Sequence, residues 1–371
     1  MNQPFIKGLD LCELFYKEAV KPILAQSFPD LVYSAALIGL GSEVLGFDTP
    51  QSMDHDWGPR LMLFLAQADH ETYRDEIDQV LRQELAGEIH GYPTNFGYHE
   101  DDTAVMTASD SGTINHRVMF LTIQRFFKSV LTFDPTGDIR AVDWVSVPEY
   151  RLLMLTSGRV FHDGLGQLEP IRARLRYYPD DVWLYLLAAQ WRRIAQEEAF
   201  MGRCGQVGDD LGSRLIAARL VRDLMRLGFL MERRYAPFIK WFGSAFAQLD
   251  CAAELLPIFA QVLEANSWEN RQTHLTVAYE LVAKMHNTLG ITKPLTTQVS
   301  QYHSRPFLVI HGDRFVDAIR AVIKSEKVRA LPEHLGSIDQ FVDSTDALRY
   351  LDRFRAVYDE NAVASRRYGG T

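Results

Sequence analysis

The sequence predicts an α+β protein: an N-terminal α/β domain with a small mixed sheet, then a C-terminal helical-bundle domain. Three observations point there. Strand-length apolar runs occur at 33–40 (YSAALIGL), 61–65 (LMLFL) and 117–123 (RVMFLTI), as expected of strands buried on both faces. From about Asp180 the apolar period turns helical, over 180–202, 210–233, 235–248, 251–266 and 268–289. Between the two patterns Gly158, Gly164, Gly166 and Pro170 cluster, which places the boundary near 158–178 and the domains at 1–165 and 166–371.

The elements follow in order. Residues 8–27 carry Leu9, Leu11, Leu14, Phe15, Ala19 and Ile23 near helical spacing, and Pro29 ends that pattern. The first strand runs into glycines, and Gly41-Ser42 opens a tight turn before the second strand. Residues 70–86 form an acidic amphipathic helix, and 87–113, rich in Gly, His, Asp and Thr, reads as a long loop region. A helix through about Leu131 follows the third strand. In the tail, 307–310 reads as a short strand and 313–324 as a helix.

Composition sets the class. The chain has 371 residues, 47% hydrophobic, with 21 Phe, 15 Tyr and 6 Trp, far more apolar surface than disorder tolerates. The apolar run 33–47 is broken by Ser34, Ser42 and Glu43, too short for a membrane span. The start, MNQPFIKGLDLCELF, has no charged-then-apolar leader, so a cytoplasmic location is expected. Three distant cysteines, Cys12, Cys204 and Cys251, form neither a disulfide framework nor a zinc pattern. Net charge is −9, which disfavours duplex nucleic acid, yet 159–247 holds 14 basic and 10 acidic residues. A locally basic segment in an acidic chain suits a compact anion such as a nucleoside triphosphate, or is simply a solvated helix surface.

The informative stretch is 38–65, IGLGSEVLGFDTPQSMDHDWGPRLMLFL. A dinucleotide fingerprint fails because Val44 stands at the third glycine position. A phosphate loop fails because Gly46 precedes Phe47-Asp48 rather than Lys-Ser/Thr. What remains is a strand, Gly41-Ser42, eleven residues, Asp54-His55-Asp56 and another strand. Carboxylates at i and i+2 on an extended segment share a face and suit Mg²⁺, while a Gly-Ser turn lets backbone N–H groups approach phosphates. The alternative is that Asp54 and Asp56 only decorate a turn.

GSx₁₁DxD between strands resembles the motif of the polymerase-β-type nucleotidyltransferase superfamily, which includes aminoglycoside nucleotidyltransferases and antitoxin-like minimal members. Five stretches are more closely similar to the bacterial family known as domain of unknown function 4037. They are GSEVLGFDTPQSMDHDWGPR (41–60), GRVFHDGLG (158–166), RLRYYPDDVWLYLLAAQW (174–191), RRYAPFIKWFGSAF (233–246) and IDQFVDSTDALRY (338–350). This resemblance spans most of the chain. It implies that an NTP, ATP in the first instance, is bound with Mg²⁺ or Mn²⁺ and that its NMP is joined to an acceptor hydroxyl with release of pyrophosphate. By position, Gly41 and Ser42 would hold phosphates, and Asp54 and Asp56 the metal. Two departures stand out. His55 and Trp57 replace the usual aliphatic residues, and Pro59 argues against ladder pairing there. The third strand, RVMFLTIQ, lacks the third carboxylate that the superfamily carries.

A base must then come from elsewhere. Gln190, Arg193 and Glu197 form a polar stripe on an apolar helix, so Glu197 or Glu198 is a candidate base and Arg193 a nucleotide contact; Asp101, Asp102 and Asp110 are weaker rivals. Surface pairing of Glu197 with Arg193 or Arg203 is the competing reading. Arg219, Arg222, Arg226 and Arg233 form a second stripe, explained equally by phosphate binding or by pairing with Asp209, Asp210 and Asp223. Lys240, among the aromatics of YAPFIKWF, is a candidate phosphate contact. His162, Asp163, His303 and His311 lack metal spacing. Two readings follow: a Mg²⁺-dependent nucleotidyltransferase acting on a hydroxyl-bearing acceptor, or a nucleotide-binding regulatory or partner-binding protein whose transfer chemistry has decayed.

Overall fold

Residues 4–108 and 112–358 are described by the structure, a computed structural model of the chain. They fall into two units, Met1–Asp138 with Arg151–Arg176 and Ile139–Tyr150 with Tyr177–Thr371.

The first unit is built on a four-stranded mixed sheet. Strand β1 (Tyr33–Leu37) lies between two antiparallel neighbours, β2 (Arg60–Leu65) and β4 (Arg159–Asp163), while β3 (Arg117–Leu121) pairs parallel to β2 with Arg117 opposite Arg60. Every residue of β2 is buried, which is why it reads as an unbroken apolar run. Its alternation serves two faces. Leu61, Leu63 and Leu65 join Leu11, Phe15, Leu24, Ile77 and Leu81 in one core. Phe64 meets Phe126 of the helix Ile123–Leu131, edge-on at 5.5 Å between ring centres.

The core helices are 8–27 and Gln67–Glu84. The first is helical throughout, with a π-helical turn over Phe15–Val20 between its α-helical ends. Because β1 and β2 run in opposite directions, the segment 38–59 spans one end of the sheet. Arg117 and Arg159, the first residues of β3 and β4, lie at that same end.

Two features of this unit depart from expectation. Region 87–113 contains two small hairpins, Glu88–Ile89 with Tyr92–Pro93 and Asn95–Tyr98 with Ala104–Thr107. The strand β4 lies in the glycine-punctuated stretch read as a boundary. It is a half-buried edge strand, so its sequence RVFHD has no continuous apolar signal.

The second unit is helical, confirming the architecture expected of the C-terminal part. Helix Asp180–Glu197 packs against Asp210–Met231 and Asp313–Arg320, and Ala252–Glu264 packs against Trp268–Thr288. Trp191 stacks on Phe315 at 4.0 Å. The helix expected over 180–202 ends at Glu197 and a separate one begins at Phe200. The helix expected over 235–248 shrinks to a 3-10 turn, Ile239–Trp241, and the short helix Phe242–Phe246. The tail strand is Leu308–Val309, paired with Ser300–Gln301. No helix among the described residues is long and apolar enough to cross a membrane.

Candidate functional site

The crown of the sheet, 38–59, is held from beneath by buried charge. Glu43 and Arg60 form an ion pair under the Gly41-Ser42 turn, with Arg60 Nε donating to Glu43 Oε1 at 2.7 Å and its Nη2 donating to the Leu40 carbonyl. Gly41 has φ 143°, and an added Cβ would collide with the Arg60 guanidinium and the Glu43 carboxylate. Only glycine passes there. Asp48, also buried, accepts from the Gly8 backbone N–H at 2.7 Å and from Trp57 Nε1 at 3.2 Å. Two of the four carboxylates in GSEVLGFDTPQSMDHDWGPR that follow the turn are therefore structural.

The turn is a closed loop rather than a helix start. Phe47 N–H donates to the Ser42 carbonyl at 2.8 Å and Gly46 N–H to the Glu43 carbonyl at 3.2 Å. Among the described residues no backbone carbonyl accepts from the N–H groups of Gly41 and Ser42. Unpaired N–H donors grouped in a turn are an anion-binding feature.

Asp54 and Asp56 are the two exposed carboxylates of the crown, each about half exposed. The segment that carries them is not extended, so the shared-face argument from strand alternation does not hold. Asp54 ends the 3-10 helix Pro50–Asp54, and Asp56 has φ 51°. Pro50 starts that helix and Thr49 and Ser52 cap it reciprocally, which is why the chain coils here. Asp54 Oδ1 lies 2.9 Å from His55 Nδ1. The Asp56 backbone N–H donates to the Ala104 carbonyl at 2.7 Å, and the Asp56 side-chain Oδ1 accepts from the Ala104 N–H at 3.3 Å.

The side chain of Asp56 is paired with a cation from the third strand. Arg117 Nη2 lies 3.1 Å from Asp56 Oδ1. The same guanidinium sits 5.5 Å from the Phe96 ring centre, and its Nη1 is buried with no hydrogen-bond partner among the described residues. Burial and then the neighbouring Arg60 pull the Arg117 guanidinium below its usual value, with Asp56 opposing. The strand that lacks a third carboxylate thus brings a positive charge to the place.

Two exposed carboxylates, completed by water and phosphate oxygens, are a donor set that Mg²⁺ accepts. Among the described residues, no group of three or more His, Cys, Asp and Glu side chains is placed to hold a metal. The pair therefore fits a cation arriving with a triphosphate better than one bound by protein alone. Of the loop rivals, Asp101 turns back on Thr103 and Asp102 has φ 63°, while Asp110 lies outside the described residues.

The second unit holds the remaining candidates. Glu197 is gripped by Arg219 through both oxygens, with Arg219 Nε at 2.9 Å. It is a salt-bridged carboxylate whose partner lies on another helix, a pairing that spacing along one helix does not show. Arg193 Nε is held 3.1 Å from Asp223, which also accepts from fully buried Gln190. Arg222 pairs with Asp343 at 2.6 Å and Arg233 with Asp180 at 2.7 Å, so these arginines have structural partners. Lys240 is exposed on the turn Ile239–Trp241, its Nζ 4.3 Å from the Trp241 ring centre.

The charged groups that sequence reading missed here are Glu149 and Asp339. Both are buried. Asp339 accepts from the Glu149 backbone N–H at 2.8 Å, and Glu149 accepts from that of Ala236 at 2.9 Å. Burial, and for Glu149 next the neighbouring carboxylate, pushes this pair above the ordinary acid range, and Arg226 opposes. Asp339, Arg222, Arg226 and Phe242 line a cavity of about 50 Å³.

Residues 144–242 match the family described as Domain of unknown function (DUF4037). Within the matched segment lie Glu149, Arg193, Glu197, Arg226 and Lys240; the crown with Gly41, Ser42, Asp54 and Asp56 lies outside it. The crystal structure of a nucleotidyltransferase-like protein from Exiguobacterium sibiricum 255-15 is similar over 74% of this chain and 78% of that chain, at 12% identity and a TM-score of 0.31. At that score the likeness supports no argument about the site. No curated protein matches the chain.

Proposed function

We propose that the protein is a nucleotidyltransferase whose first unit binds an NTP, ATP in the first instance, and passes its NMP to a hydroxyl-bearing acceptor. The observation that carries this reading is the crown at one end of the sheet. It pairs a Gly41-Ser42 turn with unpaired N–H groups and two exposed carboxylates, Asp54 and Asp56, just before β2. In such a reaction the acceptor oxygen forms a bond to the α-phosphorus, the bond to the β-phosphate oxygen breaks, and pyrophosphate leaves. Gly41 and Ser42 would hold phosphate oxygens, and Asp54 and Asp56 would hold Mg²⁺ or Mn²⁺. A divalent ion there supplies charge neutralisation on the triphosphate and the leaving group. The acceptor proton requires a base, and Glu197 is occupied by Arg219.

The second reading is a nucleotide-binding regulatory or partner-binding protein without transfer chemistry. The pairing of Arg117 with Asp56 favours it, because a cation stands on the strand from which a third carboxylate would come.

Thermal stability of wild type and Asp56→Asn with each of four NTPs, with and without Mg²⁺ or Mn²⁺, tests the nucleotide site. A ligand at about a hundred times its Kd adds ~2.7 kcal/mol, a visible rise in midpoint. The expected outcome is a metal-dependent rise in wild type that Asp56→Asn loses. No rise with any nucleotide would sink the nucleotide site and leave a partner-binding protein as the reading. Release of pyrophosphate from the bound NTP in the presence of candidate acceptors then separates transferase from binder.

A further inference from the structure

We propose that Arg117 is a resident counter-cation: it holds Asp56 while the site is free of metal, yields that carboxylate to an incoming divalent ion, and turns its freed guanidinium to the phosphates. This deepens the nucleotide reading and rests on it.

The argument begins with register. Parallel pairing of β2 and β3 sets Arg60 opposite Arg117 at the first residue of each strand. Two guanidiniums so placed repel, and each needs its own anion. Arg60 has buried Glu43 beneath it and the Leu40 carbonyl beside it, so its charge is spent on the Gly41-Ser42 turn. Among the described residues Arg117 pairs with Asp56 alone, through one nitrogen, and Asp56 is half exposed. A second nitrogen, Nη1, is buried without a partner among the described residues. An unpaired buried donor on a charged group is costly. Its persistence calls for an acceptor that is present only part of the time, and triphosphate oxygens are such acceptors in forked geometry.

Exchange also reconciles the two roles that Asp56 would otherwise combine. A carboxylate fully committed to arginine is a poor metal ligand. A single-contact partner at a half-exposed position is weak enough to be displaced. The strand alternation and the Phe96 ring keep the guanidinium at the place after displacement.

The test uses full-length wild type, Arg117→Met, Arg117→Lys and Asp56→Asn, with two readings: Mn²⁺ affinity without nucleotide, by electron paramagnetic resonance, and ATP affinity with Mg²⁺ or with chelator, by calorimetry. Removing the competitor should tighten Mn²⁺ alone by roughly tenfold in Arg117→Met while weakening ATP–Mg²⁺ by a similar factor. Arg117→Lys should fall between. Asp56→Asn, which changes an exposed side chain, should weaken Mn²⁺ and strengthen chelator-insensitive ATP binding, because the guanidinium is released. Wild type that binds ATP while Arg117→Met shows unchanged or weaker Mn²⁺ affinity overturns the exchange and leaves the nucleotide site standing. Should Arg117→Met fail to fold, unchanged chelator-insensitive binding in Asp56→Asn overturns it equally. Wild type that binds no nucleotide overturns both.

Discussion

Gly41 and Arg117 show how much a single position can decide in this protein. At Gly41 the backbone angle and the space above the Glu43–Arg60 pair both exclude a side chain. Gly41→Ala is expected to cost about 1–3 kcal/mol of stability, read by denaturation, and to abolish any nucleotide-induced midpoint rise. An alanine variant with unchanged stability would show that the turn relaxes freely. The dipeptide was legible from sequence because a glycine after a buried strand is a strong signal. The role of Arg117 was not: its first neighbour, Asp56, lies far away in sequence, and only the parallel register of two strands brings it near. The same reason hid the partners of the arginine stripe. Spacing along a helix shows that arginines share a face, but Asp343 reaches them from a loop and Glu197 from another helix.

At the scale of elements, continuous apolar runs located β1 and β2 because those strands are buried along their length, while β3, an edge strand, was located because its residues after Arg117 are apolar even though only Val118 is buried. Strand β4 and the hairpins of 87–113 were invisible because short, edge or half-exposed strands carry mixed residues. The 3-10 helix before Asp54 was missed because capping by Thr49 and Ser52 spans only one turn. Beneath the crown, Glu43→Gln leaves Arg60 buried with its charge unmatched. A loss of about 3–5 kcal/mol is expected, measured by urea denaturation, and Glu43→Gln with Arg60→Met should recover part of it. A neutral outcome for Glu43→Gln alone would mean water reaches the pair. The π-helical turn at Phe15–Val20 makes a further expectation. Deleting one residue from it would restore a regular α-helix and rotate Gly8 by about 100° about the axis. Asp48 would lose the Gly8 N–H, and the crown should become sensitive to protease.

At the scale of the whole molecule, buried carboxylates set the response to pH. Burial raises Glu198 from 4.5 to about 7, although the N–H groups of Gly312, Ile310 and His311 oppose it. The folded state therefore holds a proton there that the unfolded chain has already released. Its contribution is complete below pH 4.5 and is lost as pH rises through about 7. The change amounts to at most about 3 kcal/mol, and Glu149 and Asp339 act in the same direction. Stability should fall between pH 5 and 7.5, and Glu198→Gln should flatten that slope; an unaltered slope would exclude Glu198 as its source.

The same buried carboxylates lie in a chain that crosses between units. It leaves the first unit at Ile139, returns at Arg151 to supply β4, and leaves again at Tyr177. Order of synthesis then matters. Glu149 reaches the ribosome exit early, yet the residue that accepts its backbone N–H, Asp339, is made 190 residues later. At about 5–20 residues per second that is a wait of roughly 10–40 s. The first unit can close its sheet once residue 163 has emerged, while 139–150 still awaits its second-unit contacts, Tyr178 for Trp144, Ala236 for the Glu149 carboxylate and last Asp339 for the Glu149 N–H. A chaperone that binds nascent chains should find this short segment exposed longest, and truncated chains ending before 339 should be the ones that aggregate.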